Sequence, residues 1–201
     1  MNLKPESAFG SPFDSSKPLP DFDRAFVTLN ERPDIGCILL NSAVDTREVV
    51  SSIADSLGFE VPVSAACPSG NGPGAAMWLT PRSWLIPCPV SEEFGLIARI
   101  NAAFPDKRVH ASAFSDYLCW LEIGGKEAHT LLTSAGFLSL EIAGLKTGHA
   151  KRTLLAGIPV VVVRNRDARW TLGVERSRSA YFTGFLRDSA ARERGIAGRV
   201  N

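Results

Sequence analysis

Three histidines are the side chains of this sequence best suited to general acid–base work, and they are far apart in the chain. They are His110, His129 and His149, and no G-x-S-x-G motif provides a serine nucleophile. Nucleophilic catalysis needs a serine or cysteine beside a base. His129 falls within a predicted apolar helix, which favours a structural, hydrogen-bonded role. His149 follows a glycine in a predicted loop and is the histidine best placed to contact another molecule.

Carboxylates give no clearer catalytic pattern. Asp116 precedes a predicted central strand, where enzymes do place acids, but an exposed residue at the start of a strand is the simpler interpretation. Glu92 and Glu93 form an adjacent pair that suits the positive end of the dipole of the helix they open. The sequence therefore predicts no catalytic residue in this chain, and it leaves any cofactor-binding residues unknown.

Cysteines are the candidates for metal or redox chemistry, and a glycine-rich segment is the candidate for phosphate binding. Cys37, Cys67, Cys88 and Cys119 include no C-x-x-C and have no histidine at ligand spacing, so we predict neither a metal site nor a disulfide framework. Cys119 lies in an apolar run, where a free cysteine behaves as a small hydrophobe. The segment Ser69–Gly74 (SGNGPG) matches neither phosphate-binding glycine motif and is interpreted as a flexible loop.

Composition excludes several classes of protein. The 201 residues are 45% hydrophobic and 21% charged, with a formal net charge of +1, which argues against a nucleic-acid interface. Acidic residues interrupt the C-terminal arginines, which favours a solvated tail over a phosphate-binding patch; these arginines are Arg187, Arg192, Arg194 and Arg199. No stretch approaches about 18 apolar residues and no signal peptide is recognisable. We therefore expect a cytoplasmic protein without a membrane partner.

Periodicity predicts the elements of the first half. A strand covers Gly36–Ala43, and Asp45 caps a helix that ends at Gly58. A hairpin joins Ala76–Leu79 to Trp84–Ile86. Ser91 is expected to cap a second helix, whose predicted inward residues are Phe94, Ile97, Ile100 and Phe104.

The second half repeats the same order of elements. Tyr117–Ile123 is apolar on both faces and is predicted to be a central strand. A helix over Lys126–Ala135 follows, and its predicted inward residues are Ala128, Leu131, Leu132 and Ala135. A buried run at Ile158–Val163 and a half-buried strand at Trp170–Val174 form a second hairpin. Ser177 or Ser179 is expected to cap the last helix, whose predicted apolar stripe is Tyr181, Phe182, Phe185 and Leu186.

Together these elements predict an α+β fold of two similar strand–helix–hairpin–helix halves. The sheets are expected to be mostly antiparallel, with helices packed on one side. The predicted divisions are an extended N-terminal arm over residues 1–24, a first half over 25–107 and a second half over 108–201. Prolines exclude a continuous helix in the arm, while its phenylalanines favour contact with apolar surface, either on this chain or on a partner. We expect the arm to be mobile alone and ordered against a partner.

Four segments together carry a resemblance to a known family. They are Val27–Gly36 (VTLNERPDIG), Met77–Leu85 (MWLTPRSWL), Gly148–Val162 (GHAKRTLLAGIPVVV) and Glu175–Phe182 (ERSRSAYF). In their order and spacing the chain resembles the gamma subunit of heterotetrameric sarcosine oxidase. The chain departs from the family pattern at Glu175, where the family tends to have proline, and at Phe137–Leu140.

The resemblance implies a complex with alpha, beta and delta subunits, with alpha as the main contact. That complex demethylates sarcosine to glycine, with hydrogen peroxide and with formaldehyde or methylene-tetrahydrofolate as further products. FAD, FMN, NAD and tetrahydrofolate are implied for the complex, with the flavins and NAD in alpha and beta. The gamma subunit is implied to be non-catalytic and to have an aminomethyltransferase-like fold. The alternatives are a free-standing folate-binding or aminomethyltransferase-like one-carbon-transfer protein, and a binding domain of unrelated function.

Overall fold

The structure is a computed structural model that describes residues 7–9, 27–64, 76–136, 145–165 and 169–197, with only the backbone described beyond residue 192. In chain order the elements are β1 (Thr28–Glu31), β2 (Ile35–Ser42), α1 (Thr46–Leu57), β3 (Met77–Thr80), β4 (Ser83–Pro89), α2 (Glu93–Ala103), β5 (Val109–Ala113), β6 (Leu118–Gly124), α3 (Ala128–Ala135), β7 (Ala150–Leu155), β8 (Ile158–Arg164), β9 (Trp170–Glu175) and α4 (Ser179–Ala197). One turn of 3-10 helix precedes α2 and another precedes α4.

The chain divides into two compact units, each built on one sheet. One comprises residues 1–32, 119–147 and 152–201, and we call it the five-stranded unit. The other comprises residues 33–118 and 148–151, and we call it the four-stranded unit. The strand orders are β1-β6-β9-β8-β7 and β3-β4-β2-β5.

In the four-stranded unit, β2 lies between β4 and β5 and is antiparallel to both. Alternate residues of β2, among them Ile38 and Leu40, join residues of α1 and α2 in one apolar cluster. The helix α1 begins where the sequence predicts, because the Asp45 carboxylate accepts the backbone N–H of Arg47 at 2.9 Å. It ends at Gly58, whose φ of 81° is the left-handed conformation that favours glycine.

In the five-stranded unit, β9 is the middle strand, and its Trp170, Leu172 and Val174 join the apolar cluster formed with α3 and α4. Thr171 and Gly173, on the other face of β9, are also buried. The strand is therefore buried on both faces, and the half-buried prediction was wrong. A Cβ at Gly173 would lie 2.9 Å from the Trp120 ring, so the indole packs directly on this glycine.

In each of two predicted helix faces one residue was wrong, while the other predicted residues are buried or half-buried. Phe94 is 76% exposed, because the buried position at the start of α2 belongs to Glu93. Tyr181 is 63% exposed, whereas Phe182 and Leu186 are fully buried. By contrast, the four residues predicted to face inward on α3 are all buried: Ala128, Leu131, Leu132 and Ala135.

The serines before α4 do not act as the predicted caps, since their hydroxyls donate hydrogen bonds instead. Ser177 donates to the Glu175 carboxylate at 2.7 Å, and Ser179 donates to the backbone carbonyls of Ala8 and Arg176. The strand β7 lies where the sequence analysis predicts no element. It is a strand of its own, joined to β8 by a turn in which Ala156 and Gly157 have positive φ.

Most of the N-terminal arm lies outside the described residues. The part that is described, residues 7–9, packs on this chain: Phe9 is 4% exposed and belongs to the apolar cluster of the five-stranded unit. For these three residues, the expectation of a segment that is loose without a partner was wrong. Burying one aromatic ring contributes about 1.5–3 kcal/mol.

The class predicted from the sequence, α+β with antiparallel sheets, is confirmed. Two strand pairings cross the predicted division at residues 107 and 108. β1 pairs with β6, and β5 pairs with β2. Pairings between strands so distant in the chain leave no local pattern in a sequence. Among the helices of the described residues, none is long and apolar enough to cross a membrane.

Candidate functional site

The most distinctive polar group in the four-stranded unit is the Glu93 carboxylate. Glu93 is the first residue of α2 and is only 3% exposed. Charged side chains are rarely buried to this extent unless hydrogen bonds compensate for the loss of water. In the sequence analysis, Glu92 and Glu93 have the same role, which is to interact with the helix dipole. In the structure their exposure differs: Glu92 is exposed and Glu93 is not.

Both carboxylate oxygens of Glu93 accept hydrogen bonds from the segment that follows β5. One oxygen accepts the hydroxyl of Ser115 at 2.8 Å, and the other accepts the backbone N–H of Phe114 at 3.3 Å. The Ser115 hydroxyl oxygen in turn accepts the backbone N–H of Cys37 at 2.8 Å. We call this set the Glu93 clasp: Glu93, Phe114, Ser115 and Cys37.

Close backbone packing at the start of β2 accompanies the clasp. A Cβ at Gly36 would lie 2.9 Å from the Cα of Val90 and 3.3 Å from the Ser115 hydroxyl oxygen, so only glycine fits there. The Val90 N–H also donates to the Asp34 carbonyl at 3.0 Å. The clasp thus joins three segments, around residues 34–37, 90–93 and 114–115. A carboxylate with both oxygens occupied in this way is suited to holding structure rather than to removing protons.

The cysteine thiols of the described residues are poor nucleophiles at neutral pH. Burial, with Glu93 and Glu92 adding, raises the pKa of Cys88 to about 11. Burial raises the pKa of Cys119 to about 12, although Arg176 and Ser179 oppose it. Burial, with Cys88 and Glu93 adding, also raises the pKa of Cys37. Because the thiolate is the reactive form, these three cysteines are structural.

The structure places the three histidines and Asp116 on or beside different elements. His110 is exposed on β5 opposite Asn41. His129 is half-buried on α3, with its ring centroid 6.2 Å from that of Trp170. His149 is half-buried just before β7, and Asp116 is exposed before β6. The glycine-rich segment 69–74, Cys67 and Arg199 lie outside the described residues, as do the side chain of Arg194 and most of the arm.

A second charged cluster crosses the five-stranded sheet at Glu122 on β6. Its carboxylate pairs with Arg32 at 3.5 Å and with Arg169 at 3.0 Å. The Arg169 side chain is 59% exposed, so this cluster is screened by water and contributes little stability. Among the described residues, no group of three or more His, Cys, Asp or Glu side chains is arranged to hold a metal ion.

The starts of α1, α2 and α3 each carry a carboxylate. A pyrophosphate binds where free backbone N–H groups meet the positive end of a helix. Here Asp45 occupies that position on α1, Glu93 lies in the first turn of α2, and Glu127 precedes α3. A carboxylate at each of these starts would repel a second anion.

A match to a protein-family model identifies the family of this chain. The family model described as "Sarcosine oxidase, gamma subunit family" matches residues 42–192, which is well over half of the chain. The chain belongs to the sarcosine oxidase gamma subunit family. The matched region contains all of the Glu93 clasp except Cys37.

Solved structures share the fold of this gamma-family chain. The heterotetrameric sarcosine oxidase from Corynebacterium sp. U-96, in complex with pyrrole 2-carboxylate, contains a chain that is similar with a TM-score of 0.74 and 22% sequence identity. That match covers 83% of this chain and 84% of the other. A search of curated protein sequences found no match.

A second fold relative is the glycine cleavage system aminomethyltransferase T from Bartonella henselae. It is similar with a TM-score of 0.58 and 12% identity, over 81% of this chain and 46% of the other. The gamma-family chain therefore spans just under half the length of that protein. The aminomethyltransferase-like fold that the sequence predicted is confirmed.

Proposed function

We propose that this chain is a non-catalytic gamma subunit of a heterotetrameric, flavin-dependent sarcosine oxidase. It assembles with alpha, beta and delta subunits and supports the folate-side region of alpha, which is its main contact. The family match over residues 42–192 is the observation that carries the proposal. In this role the complex converts sarcosine to glycine, with hydrogen peroxide and a one-carbon unit as further products.

Local chemistry supports a structural role for the chain. Glu93 uses both carboxylate oxygens in hydrogen bonds to Phe114 and Ser115, so it is not available as a general base in this arrangement. The Cys88 and Cys119 thiols hold their protons at neutral pH because burial raises their pKa values. The most buried polar groups therefore stabilise the fold.

In this proposal FAD, FMN and NAD are held by other subunits. The carboxylates at the starts of α1, α2 and α3 support that assignment, because their negative charge disfavours binding of a dinucleotide pyrophosphate there. Tetrahydrofolate, if it serves as the one-carbon acceptor, belongs in this proposal to the alpha subunit.

Co-expression with and without the other subunits tests the proposal. We expect the full chain to co-purify with alpha, beta and delta subunits from the same organism at equal stoichiometry. We expect sarcosine-dependent peroxide formation from the complex and none from the chain alone. A chain that purifies alone with a yellow flavin spectrum and turns over sarcosine would contradict the proposal. A stable monomer that binds tetrahydrofolate and ignores the other subunits would favour a free-standing one-carbon protein.

A further inference from the structure

An exposed apolar surface lies beside the Glu93 clasp. Phe94 is 76% exposed, and Val90 and Tyr117 are each 48% exposed. Phe114 is half-buried, and its ring centroid lies 4.6 Å from that of Tyr117. We call Val90, Phe94, Phe114 and Tyr117 the aromatic patch.

The clasp fixes the two segments that carry the aromatic patch. Glu93 adjoins Phe94 in α2, and its carboxylate holds the backbone N–H of Phe114 and the hydroxyl of Ser115. The two segments are therefore tied together before any partner arrives. Pre-ordering of this kind lowers the entropy cost of binding. Single exposed hydrophobic residues are common on proteins, whereas here two exposed aromatic side chains, Phe94 and Tyr117, lie on segments that one buried carboxylate ties together.

The chain segments that the Glu93 clasp joins, which carry the aromatic patch, are acidic in sequence. Asp34, Glu92 and Asp116 are exposed, and the segments 33–37, 88–97 and 113–118 contain no lysine, arginine or histidine. If two copies of this chain met through the patch, the symmetry of the contact would bring these carboxylates face to face. Like charges across an interface are unfavourable. The charge pattern thus favours a different partner, with lysine or arginine around an apolar centre.

We propose that the aromatic patch is a docking site for another subunit of the oxidase. The contacting surface of that subunit has an apolar pocket surrounded by basic side chains. This inference rests on the proposed function, since it assumes that the chain assembles with other subunits. Aromatic residues at the centre of an interface commonly carry most of its binding energy. Each aromatic side chain of the patch can bury roughly 150–250 Å² of surface, so the patch would form the centre of a larger contact.

The test compares full-length variants in assembly with the other three subunits. The double variant Phe94→Ala with Tyr117→Ala should raise the dissociation constant for the remaining subunits by about tenfold or more. Tyr181→Ala is the matched control, because Tyr181 is an equally exposed aromatic residue on the five-stranded unit. It should leave assembly unchanged. Thermal unfolding of each variant alone verifies that the fold is retained.

A variant with a reversed charge beside the aromatic patch tests whether the partner surface is basic. It remains informative if the double variant folds poorly. Glu92→Lys alters only an exposed side chain, and it should slow association and weaken its dependence on salt. If wild-type protein fails to assemble, the proposed function itself is wrong. If wild-type assembles and the double variant and Glu92→Lys assemble equally well, only the docking site is wrong. A dimer of the isolated chain that Phe94→Ala dissociates would also overturn the proposal, because it would make a second copy the occupant.

Discussion

In each unit a strand leads through one turn of 3-10 helix into a longer helix, and the first residue of that helix is polar and buried. In the four-stranded unit this residue is Glu93, which is 3% exposed and accepts hydrogen bonds from Phe114 and Ser115. In the five-stranded unit it is Ser179, which is 1% exposed and donates to the carbonyls of Ala8 and Arg176. One position in the local structure therefore holds a charged acceptor in one unit and a neutral donor in the other.

The difference lies in what each residue holds in place. Glu93 fixes a surface segment that carries two aromatic rings, Phe114 and Tyr117. Ser179 fixes the N-terminal segment next to Phe9, which is itself part of the apolar cluster. Hydrogen bonds to charged groups contribute about 1.5–3 kcal/mol and neutral ones about 0.5–1.5 kcal/mol. The charged contact thus holds a segment at the surface, and the neutral contact holds a segment that is buried in the apolar cluster.

Two buried tryptophans differ in a similar way. The indole N–H of Trp84, in the four-stranded unit, donates to the Pro62 carbonyl at 2.7 Å. For Trp120, in the five-stranded unit, no acceptor within the described part of the chain lies within reach of the indole N–H. Trp120 therefore stabilises its unit through packing on Gly173, whereas Trp84 combines packing with a hydrogen bond.

The largest effect should come from removing the Trp120 ring. We expect Trp120→Ala to lower the free energy of unfolding by about 3–5 kcal/mol, because it opens a cavity over the backbone of Gly173. Urea denaturation measures the change. The matched pair Trp120→Phe and Trp84→Phe separates packing from hydrogen bonding. Trp84→Phe should cost about 1 kcal/mol more, since it leaves the Pro62 carbonyl without its partner. A loss below about 1 kcal/mol for Trp120→Ala would contradict its central position.

A smaller effect should come from breaking the clasp. We expect Glu93→Ala to destabilise the protein by about 2–3 kcal/mol, because the Ser115 hydroxyl loses its charged acceptor. Ser179→Ala, the matched change in the other unit, should cost about 0.5–1.5 kcal/mol. Glu92→Ala is the control and should stay within about 0.5 kcal/mol of wild-type, since Glu92 is exposed. Equal losses for Glu93→Ala and Ser179→Ala would show that the charge adds nothing.

Local sequence patterns were sufficient to predict much of the fold. The helix α1 follows from Asp45 and Gly58, and α3 follows from the spacing of its four apolar residues, because capping and periodicity act over a few residues. The fold class and the family resemblance also came from the sequence. The hairpin of β3 and β4 was predicted from the break at Thr80–Ser83 in an apolar stretch and is confirmed.

Long-range contacts account for what the sequence missed. At the start of α2, Glu93 or Phe94 could each take the inward position, and the choice depends on Ser115, which is 22 residues away. Nothing local distinguishes Glu93 from Glu92. The pairing of β1 with β6 likewise joins residues about ninety positions apart, such as Thr28 and Gly124. Within the candidate site, the sequence analysis singled out Glu92 and Glu93 as an acidic pair. It could not predict that Glu93 alone is buried.

The smallest effect should appear only in alkaline solution, where Glu93 influences the ionisation of the Cys88 thiol. Folding raises the pKa of Cys88 from its ordinary value of 9.0 to about 11, through burial first and then through Glu93 and Glu92. Above pH 9 the unfolded chain releases this proton while the folded chain keeps it. Stability therefore falls as the pH rises from 9 towards 11.

Glu93→Gln removes one of these negative charges and so should lower the Cys88 pKa, making the alkaline loss of stability shallower than in wild-type. Cys119 provides the internal comparison, because its raised pKa comes from burial and from Glu31, and Glu93 does not contribute. Glu93 also raises the pKa of Cys37, so all four proteins carry Cys37→Ala. Free energies of unfolding measured at pH 8, 9 and 10 with Glu93 or Glu93→Gln, each with and without Cys88→Ala, then isolate the contribution of the Cys88 thiol. The difference between the two slopes should vanish once Cys88 is replaced. A difference that persists in the Cys88→Ala background would mean that Glu93 acts on alkaline stability through some group other than this cysteine, and the electrostatic link between clasp and thiol would be wrong.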